Sequence, residues 1–184
     1  MILRISAFLL ALAATMPALH AGWKYSANRY DLRLATTTGD GTSPDGPIRT
    51  KLAVQYSRGK DGTMTIEFIV EGARKMKGFG YDSFEGPDAV AADAKLTRIV
   101  VERPGAKPFT LLTKVGGWYF GDAFHFAASE TNAHPGDVLK AVRAIQSGAT
   151  KVSVAIQDSR DAKKQLRAEF AMDGAADALT KLLK

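Results

Sequence analysis

The residue types with most chemical promise gather between positions 74 and 88. Lys77-Gly78-Phe79-Gly80-Tyr81-Asp82-Ser83-Phe84 follows the RNP1 pattern of RNA-recognition folds at every specified position but one. In that fold the aromatic rings stack on bases from a central strand. Asp82, however, puts a carboxylate where an inward-facing valine is required. The nearest β-rich run also ends at Val70, seven residues before Lys77, which leaves no room for the helix that such a fold places upstream. Nucleic acid is not an expected partner.

The same segment has a second use. Phe79, Tyr81 and Phe84 sit among glycines and the acids Asp82, Glu85 and Asp88, beside the cations Arg74, Lys75 and Lys77. Loops carry function more often than strands do, and Trp118 supplies a further large aromatic. Two readings stay open. Arg74, Lys75, Lys77, Phe79, Tyr81, Phe84 and Trp118 form an interaction surface, or the three loop rings fold back as a plug over one end of a sheet. The acids Asp82, Glu85 and Asp88 lack the alternating ligand spacing of a calcium loop.

Hydrolytic chemistry finds no footing. Beyond the first 21 residues the histidines are His125 and His134. If 118–126 is a strand, Asp122 and His125 point to opposite faces, because sides alternate with period two. Glu130 lies near His134, but one carboxylate and one imidazole make neither a catalytic site nor a zinc site. No G-x-S-x-G elbow or H-E-x-x-H helix occurs. With no cysteine in the chain, thiol nucleophiles and thiolate metal sites are excluded. The expectation is a protein that is not an enzyme and that carries no cofactor and no metal.

The elements that must position these residues follow a mostly two-residue period. Trp23, Tyr25, Tyr30, Leu32 and Leu34 read as an opening strand or two, and 36–47 as a turn-rich loop. Leu52, Val54 and Tyr56, then Met64, Ile66, Phe68 and Val70, flank Gly59-Lys60-Asp61-Gly62 as a β-hairpin. Residues 72–94 lose the pattern. Strands resume over 96–102, 109–115 and 118–126. A helix follows, with Pro135 in its first turn, the stripe Val138, Leu139, Val142 and Ile145, and Gly148 at its end. Val152, Val154 and Ile156 pair with Leu166, Ala168, Phe170 and Met172 across a polar turn, and a terminal helix presents Leu179, Leu182 and Leu183. This predicts about eight strands, mainly antiparallel, with two short helices in the C-terminal part: a β-sandwich-like or α+β domain.

The N-terminus reads as an export leader. Arg4 precedes an apolar run over Ile5–Met16, Pro17 breaks it, and small residues follow at Ala18 and Ala21, the order a signal peptidase requires. The run is shorter than the roughly 20 residues of a permanent span. Cleavage after Ala18 or Ala21 then leaves one domain, 22–184, and no anchor. Removing the leader takes away Arg4 alone, so 24 basic residues face 19 acidic ones, spread along the chain. A mildly basic surface suits anionic envelope components. The absence of cysteines and of Asn-x-Ser/Thr sites fits a bacterial periplasm.

The ending carries a resemblance. A helix closing at Gly148, strands over 151–157 and 166–172, and Gly174-Ala175-Ala176-Asp177-Ala178-Leu179-x-x-Leu182, with an opening Trp23, resemble small bacterial envelope proteins of the invasion-associated locus B type. The resemblance implies an exported β-sandwich-like protein with an accessory or binding role. The reading of the whole chain is a periplasmic protein that engages an envelope protein or polysaccharide without covalent chemistry. The alternative is a small-molecule or ion carrier, with a hydrolase lacking a recognised motif as a more remote reading.

Overall fold

A computed structural model describes residues 22–28, 32–57, 62–86, 89–130 and 136–184. The expected leader, most of the 59–62 turn, Asp88, His134 and Pro135 lie outside the described residues. The strands are β1 (Lys24–Ala27), β2 (Leu32–Ser43), β3 (Gly46–Ser57), β4 (Thr63–Val70), β5 (Thr97–Glu102), β6 (Phe109–Thr113), β7 (Gly116–Phe120), β8 (Ala123–Ser129), β9 (Lys151–Gln157) and β10 (Gln165–Ala171). Helix α1 (Asp137–Gln146) lies between β8 and β9, and α2 (Ala175–Leu183) follows β10.

The ten strands of the described residues join one antiparallel sheet, nine of them in the order β6-β5-β9-β10-β2-β3-β4-β8-β7 and β1 off this path. Strand β1 pairs with the first part of β2, Ala27 opposite Arg33, while β10 pairs with its later part, Arg167 opposite Thr42. Helix α1 touches β6 and β5 at one end of this order and also β4, six strands away. Six spacings of about 4.8 Å would separate β6 from β4 by about 29 Å in a flat sheet. A helix only about 10–12 Å across cannot bridge that gap. The sheet therefore curls around α1 and α2, and its two arms make the facing layers. Among the described residues the chain is mainly β and antiparallel, with both α-helices in the C-terminal part.

Each helix docks by the stripe its sequence offers. Val138, Ala141, Val142 and Ile145 of α1 are buried, and Gly148 beyond it adopts φ 97°, as an end-of-helix glycine does. Leu179 and Leu182 of α2 are fully buried against β1, β2 and β3, each contributing about 1.5–3 kcal/mol. Gln146 Nε2 donates to Thr180 Oγ1 at 3.0 Å and ties the two helices together.

Residues 36–47 are a correction. They are not a loop: they form most of β2, a two-residue turn at Pro44-Asp45 and the start of β3, with Thr38 opposite Lys51 and Ser43 opposite Gly46. The glycines there admit a neighbour instead of a turn. A β-carbon on Gly39 would lie 2.6 Å from the Glu169 carbonyl oxygen and 2.7 Å from the Phe170 ring. Glycine in a strand marks such a close approach. A second correction concerns 118–126, which divides into β7 and β8 around a turn at Gly121-Asp122.

Candidate functional site

Between β4 and β5 the chain runs through three single 3₁₀ turns, Ala73–Lys75, Tyr81–Phe84 and Val90–Asp93. The expected contact rings of this segment point inward. Phe79, Tyr81 and Phe84 are 4 %, 2 % and 0 % exposed, so they cannot meet a partner without unfolding. The plug reading describes them. Phe84 meets Phe126 edge-on at 5.2 Å, Tyr81 lies 5.2 Å from Phe124, and Phe79 stacks on Phe84 at 5.8 Å. Burial is favoured because three large apolar rings leave water.

Two aspartates pin this plug, and neither was visible as a partner in the sequence. Asp45, in the β2–β3 turn, accepts the Gly78 N–H at 2.7 Å. Asp158, after β9, accepts the Gly80 N–H at 2.7 Å through one oxygen and the Arg160 N–H at 2.8 Å through the other. Ser159 Oγ donates to Ser83 Oγ at 2.7 Å. The Tyr81 hydroxyl reaches Met76 Sδ at 3.4 Å, and its pKa is pushed above the usual phenol range, first by burial and then by Tyr119 and Asp45.

The cations of the segment do stay outside. Arg74, Lys75 and Lys77 are exposed. The Arg74 guanidinium lies 4.3 Å from the Tyr119 ring centroid, and its Nε donates to the Gly121 carbonyl at 2.6 Å. Burial also raises the Tyr119 pKa; Asp82 and Glu85 push the same way, and Arg74 opposes them. A cleft of about 400 Å³ collects Arg74, Lys77, Arg160 and Lys164. It also collects Asp82, Asp158 and Asp161, so three carboxylates offset three of its four cations. That balance gives weak selection for a charged ligand.

A different surface presents aromatic rings to water. On β7, Trp118 and Phe120 are 41 % and 74 % exposed on the sheet's outer face, while Tyr119 between them turns inward and packs edge-on against Phe124. Period-two alternation places Trp118 and Phe120 together, a signal legible in the sequence. Trp118 lies nearly flat on the His125 ring, 5.3 Å between centroids and 18° between planes, and Phe120 stands edge-on to His125 at 6.1 Å. Trp118 stays exposed beside that contact.

His125 is held from β4. Its Nδ1 lies 3.3 Å from Glu67 Oε2, a contact that joins residues 58 apart in sequence. Asp122 sits in the β7–β8 turn and takes no part in this pair. Lys51 Nζ and Glu71 Oε1 pair at 2.7 Å on the same rim. A hollow of about 520 Å³ adjoins the rings, lined by Lys51, Ile69, Glu71, Phe120, Asp122 and His125 among others. Glu130 serves α1 instead, capping it with a carboxylate that accepts the N–H groups of Gly136 at 2.6 Å and Leu139 at 2.8 Å. Among the described residues no group of three His, Asp or Glu side chains is placed to hold a metal ion, and no helix is long and apolar enough to cross a membrane.

No family model, curated protein or solved structure matches this chain. What it does must therefore be argued from its own surfaces. The aromatic platform of β7 and β8 is the best-formed of them. It joins a flat apolar face to carboxylates, an amine and an imidazole within one small area.

Proposed function

We propose that the chain is an exported binding protein of the cell envelope, without catalytic activity, that captures polysaccharide on the platform made by Trp118, Phe120 and His125. The observation that carries this reading is the outward display of Trp118 and Phe120 over a fully packed aromatic core. Exposed apolar side chains scattered singly are ordinary, whereas large rings grouped side by side on one face point to a contact surface.

Size selects the ligand. A stable protein interface buries about 800 Å² on each partner, around a core of aromatic and aliphatic anchors. Two rings ringed by Glu67, Glu71 and Lys51 offer much less apolar area than that. They suit a sugar ring, whose C–H face stacks on an indole while its hydroxyls meet carboxylates and an amine. The resemblance of the chain's ending to invasion-associated locus B type proteins implies an accessory envelope role, and the leader-like N-terminus supports export.

Co-sedimentation with insoluble cell-wall polysaccharide tests the proposal. Trp118→Ala is expected to weaken binding about 30-fold, equivalent to about 2 kcal/mol, which is the scale of a buried aromatic anchor. Its melting temperature should stay close to that of the unaltered protein, because Trp118 is exposed and the ring it stacks on, His125, lies outside the buried core. Unchanged sedimentation of Trp118→Ala would overturn the reading. So would a Trp118-dependent complex with a protein in place of the polysaccharide.

A further inference from the structure

The outer face of the sheet carries a second feature, near the other end of the strand order. Across β5, β9 and β10 the register sets Arg98 opposite Ala155 and Ala155 opposite Arg167, so the three form one row. Residues paired across strands share a face. Here Arg98 and Arg167 are both exposed, with the small Ala155 between them. Strands lie about 4.8 Å apart, which spaces the two arginine backbones by about 10 Å. An open groove of about 570 Å³ runs over this row. Ser153 and Ala155 give it a floor of small side chains, and Gln157 and Gln165 line it further along β9 and β10.

Charge separates this groove from the cleft beside Tyr119. Lys95, Arg98 and Arg167 line it against one acid, Glu169, and Glu169 already meets Lys151 at 3.4 Å. Among the described residues no carboxylate pairs with Lys95, Arg98 or Arg167. The Arg167 guanidinium is aimed by a neutral group instead: Gln165 Oε1 accepts its Nε at 3.0 Å and its Nη2 at 2.9 Å. Nη1 stays available. Two guanidiniums that flank an alanine repel each other until an anion lies between them, and planar forks of this kind match carboxylate oxygens.

We infer that this groove binds the acidic units of a polysaccharide, the carboxylates of uronate-type sugars, between Arg98 and Arg167. The Ser153 hydroxyl and the Gln157 and Gln165 amides meet the sugar hydroxyls. Leu112 is the exposed apolar side chain of the groove, too little to hold a lipid chain. The choice of a polysaccharide rests on the reading of the Trp118 platform, whereas the preference for an anion rests on the groove alone.

Calorimetry on the full chain tests the inference with three probes: oligogalacturonate, a neutral oligosaccharide of equal length, and inorganic phosphate. The unaltered protein is expected to bind the acidic oligomer about tenfold more tightly than the neutral one, a difference that shrinks as salt is added. The double variant Arg98→Gln/Arg167→Gln should lose that preference at an unchanged melting temperature, while Lys107→Gln, in an exposed turn, should keep it. Trp118→Ala should weaken both oligomers and leave their ratio alone. A preference that survives the double variant, or that the unaltered protein lacks, overturns the inference. Phosphate binding as tightly as the acidic oligomer would replace polysaccharide with a free anion. If Trp118→Ala changes nothing while the arginine variants abolish the preference, the platform reading fails and the groove stands.

Discussion

Replacing Asp158 by alanine removes the acceptor that ties the aromatic plug, at Gly80, to the β9–β10 turn, together with the acceptor that Arg160 uses within that turn. Asp158 is 5 % exposed, and its two oxygens take the N–H groups of Gly80 at 2.7 Å and Arg160 at 2.8 Å. A hydrogen bond to a charged group contributes about 1.5–3 kcal/mol, so the pair sets an upper bound near 6 kcal/mol. Arg160 is exposed and water can replace the acceptor at its N–H, whereas Gly80 is half-buried and its N–H is less readily rehydrated. A loss of about 3 kcal/mol follows, which for a domain of this size is a fall in Tm of about 6–12 °C. Asp45→Ala, which frees the Gly78 N–H in an exposed turn, should lose about 1 kcal/mol or less. The assay is thermal and urea unfolding of both variants, with near-ultraviolet dichroism reporting the Phe79–Tyr81–Phe84 cluster. The reasoning is refuted if Asp158→Ala falls by less than about 0.5 kcal/mol, or if Asp45→Ala proves the more damaging of the two.

Two further outcomes can be read independently. Burial raises the Tyr81 pKa, so above pH 10 the unfolded phenol, of pKa about 10, releases its proton before the folded one, and stability falls as pH rises. Tyr81→Phe removes that contribution: between pH 10 and 11.5 the unaltered protein should lose about 1–2 kcal/mol more than the variant, and parallel curves from alkaline denaturant titrations would sink the point. The leader-like N-terminus makes the other prediction. Intact mass of protein recovered from an exporting cell should begin at Gly22 or Leu19, and a mature form that retains Met1 would contradict export.

The parts of this fold that were legible in the sequence are those in which one face of a strand is buried and the other is wet. Met64, Ile66 and Phe68 lie opposite Tyr56, Val54 and Leu52, which is the pairing the alternation of those two runs predicts. The β9–β10 hairpin follows the same rule, with Val154 opposite Ala168 and Ile156 opposite Leu166. Residues 36–47 misled because threonine, glycine and aspartate are common in turns. Their reason for being there, the approach of β10 to Gly39, lies more than 120 positions away in sequence. The plug misled in the opposite direction. Tyr81 and Phe84 share a face by the three-residue repeat of a single 3₁₀ turn, Phe79 lies before that turn, and one turn is too short for the repeat to show in the sequence; Asp45 and Asp158 then hold the segment in place. Trp118 was legible as a surface aromatic. Arg98 and Arg167 were not, because the row they share is created by strand register and by no local spacing.

Salt dependence separates the two surfaces, and the separation follows from their chemistry. The inner face of the sheet is filled by α1, α2 and the plug rings, so recognition must use the outer face and its rims. On that face the platform offers stacking to a neutral ring, and the groove offers guanidiniums to a charge. Exposed charges are screened over about 8 Å at physiological ionic strength and over about 3 Å at 1 M, while stacking and apolar burial are not weakened in this way. Affinity for an acidic polysaccharide should therefore fall with added salt and then level. The plateau measures what Trp118 and Phe120 contribute, and the fall measures Arg98 and Arg167. In the double arginine variant the curve should begin near the plateau, and in Trp118→Ala it should keep its slope and lose the plateau.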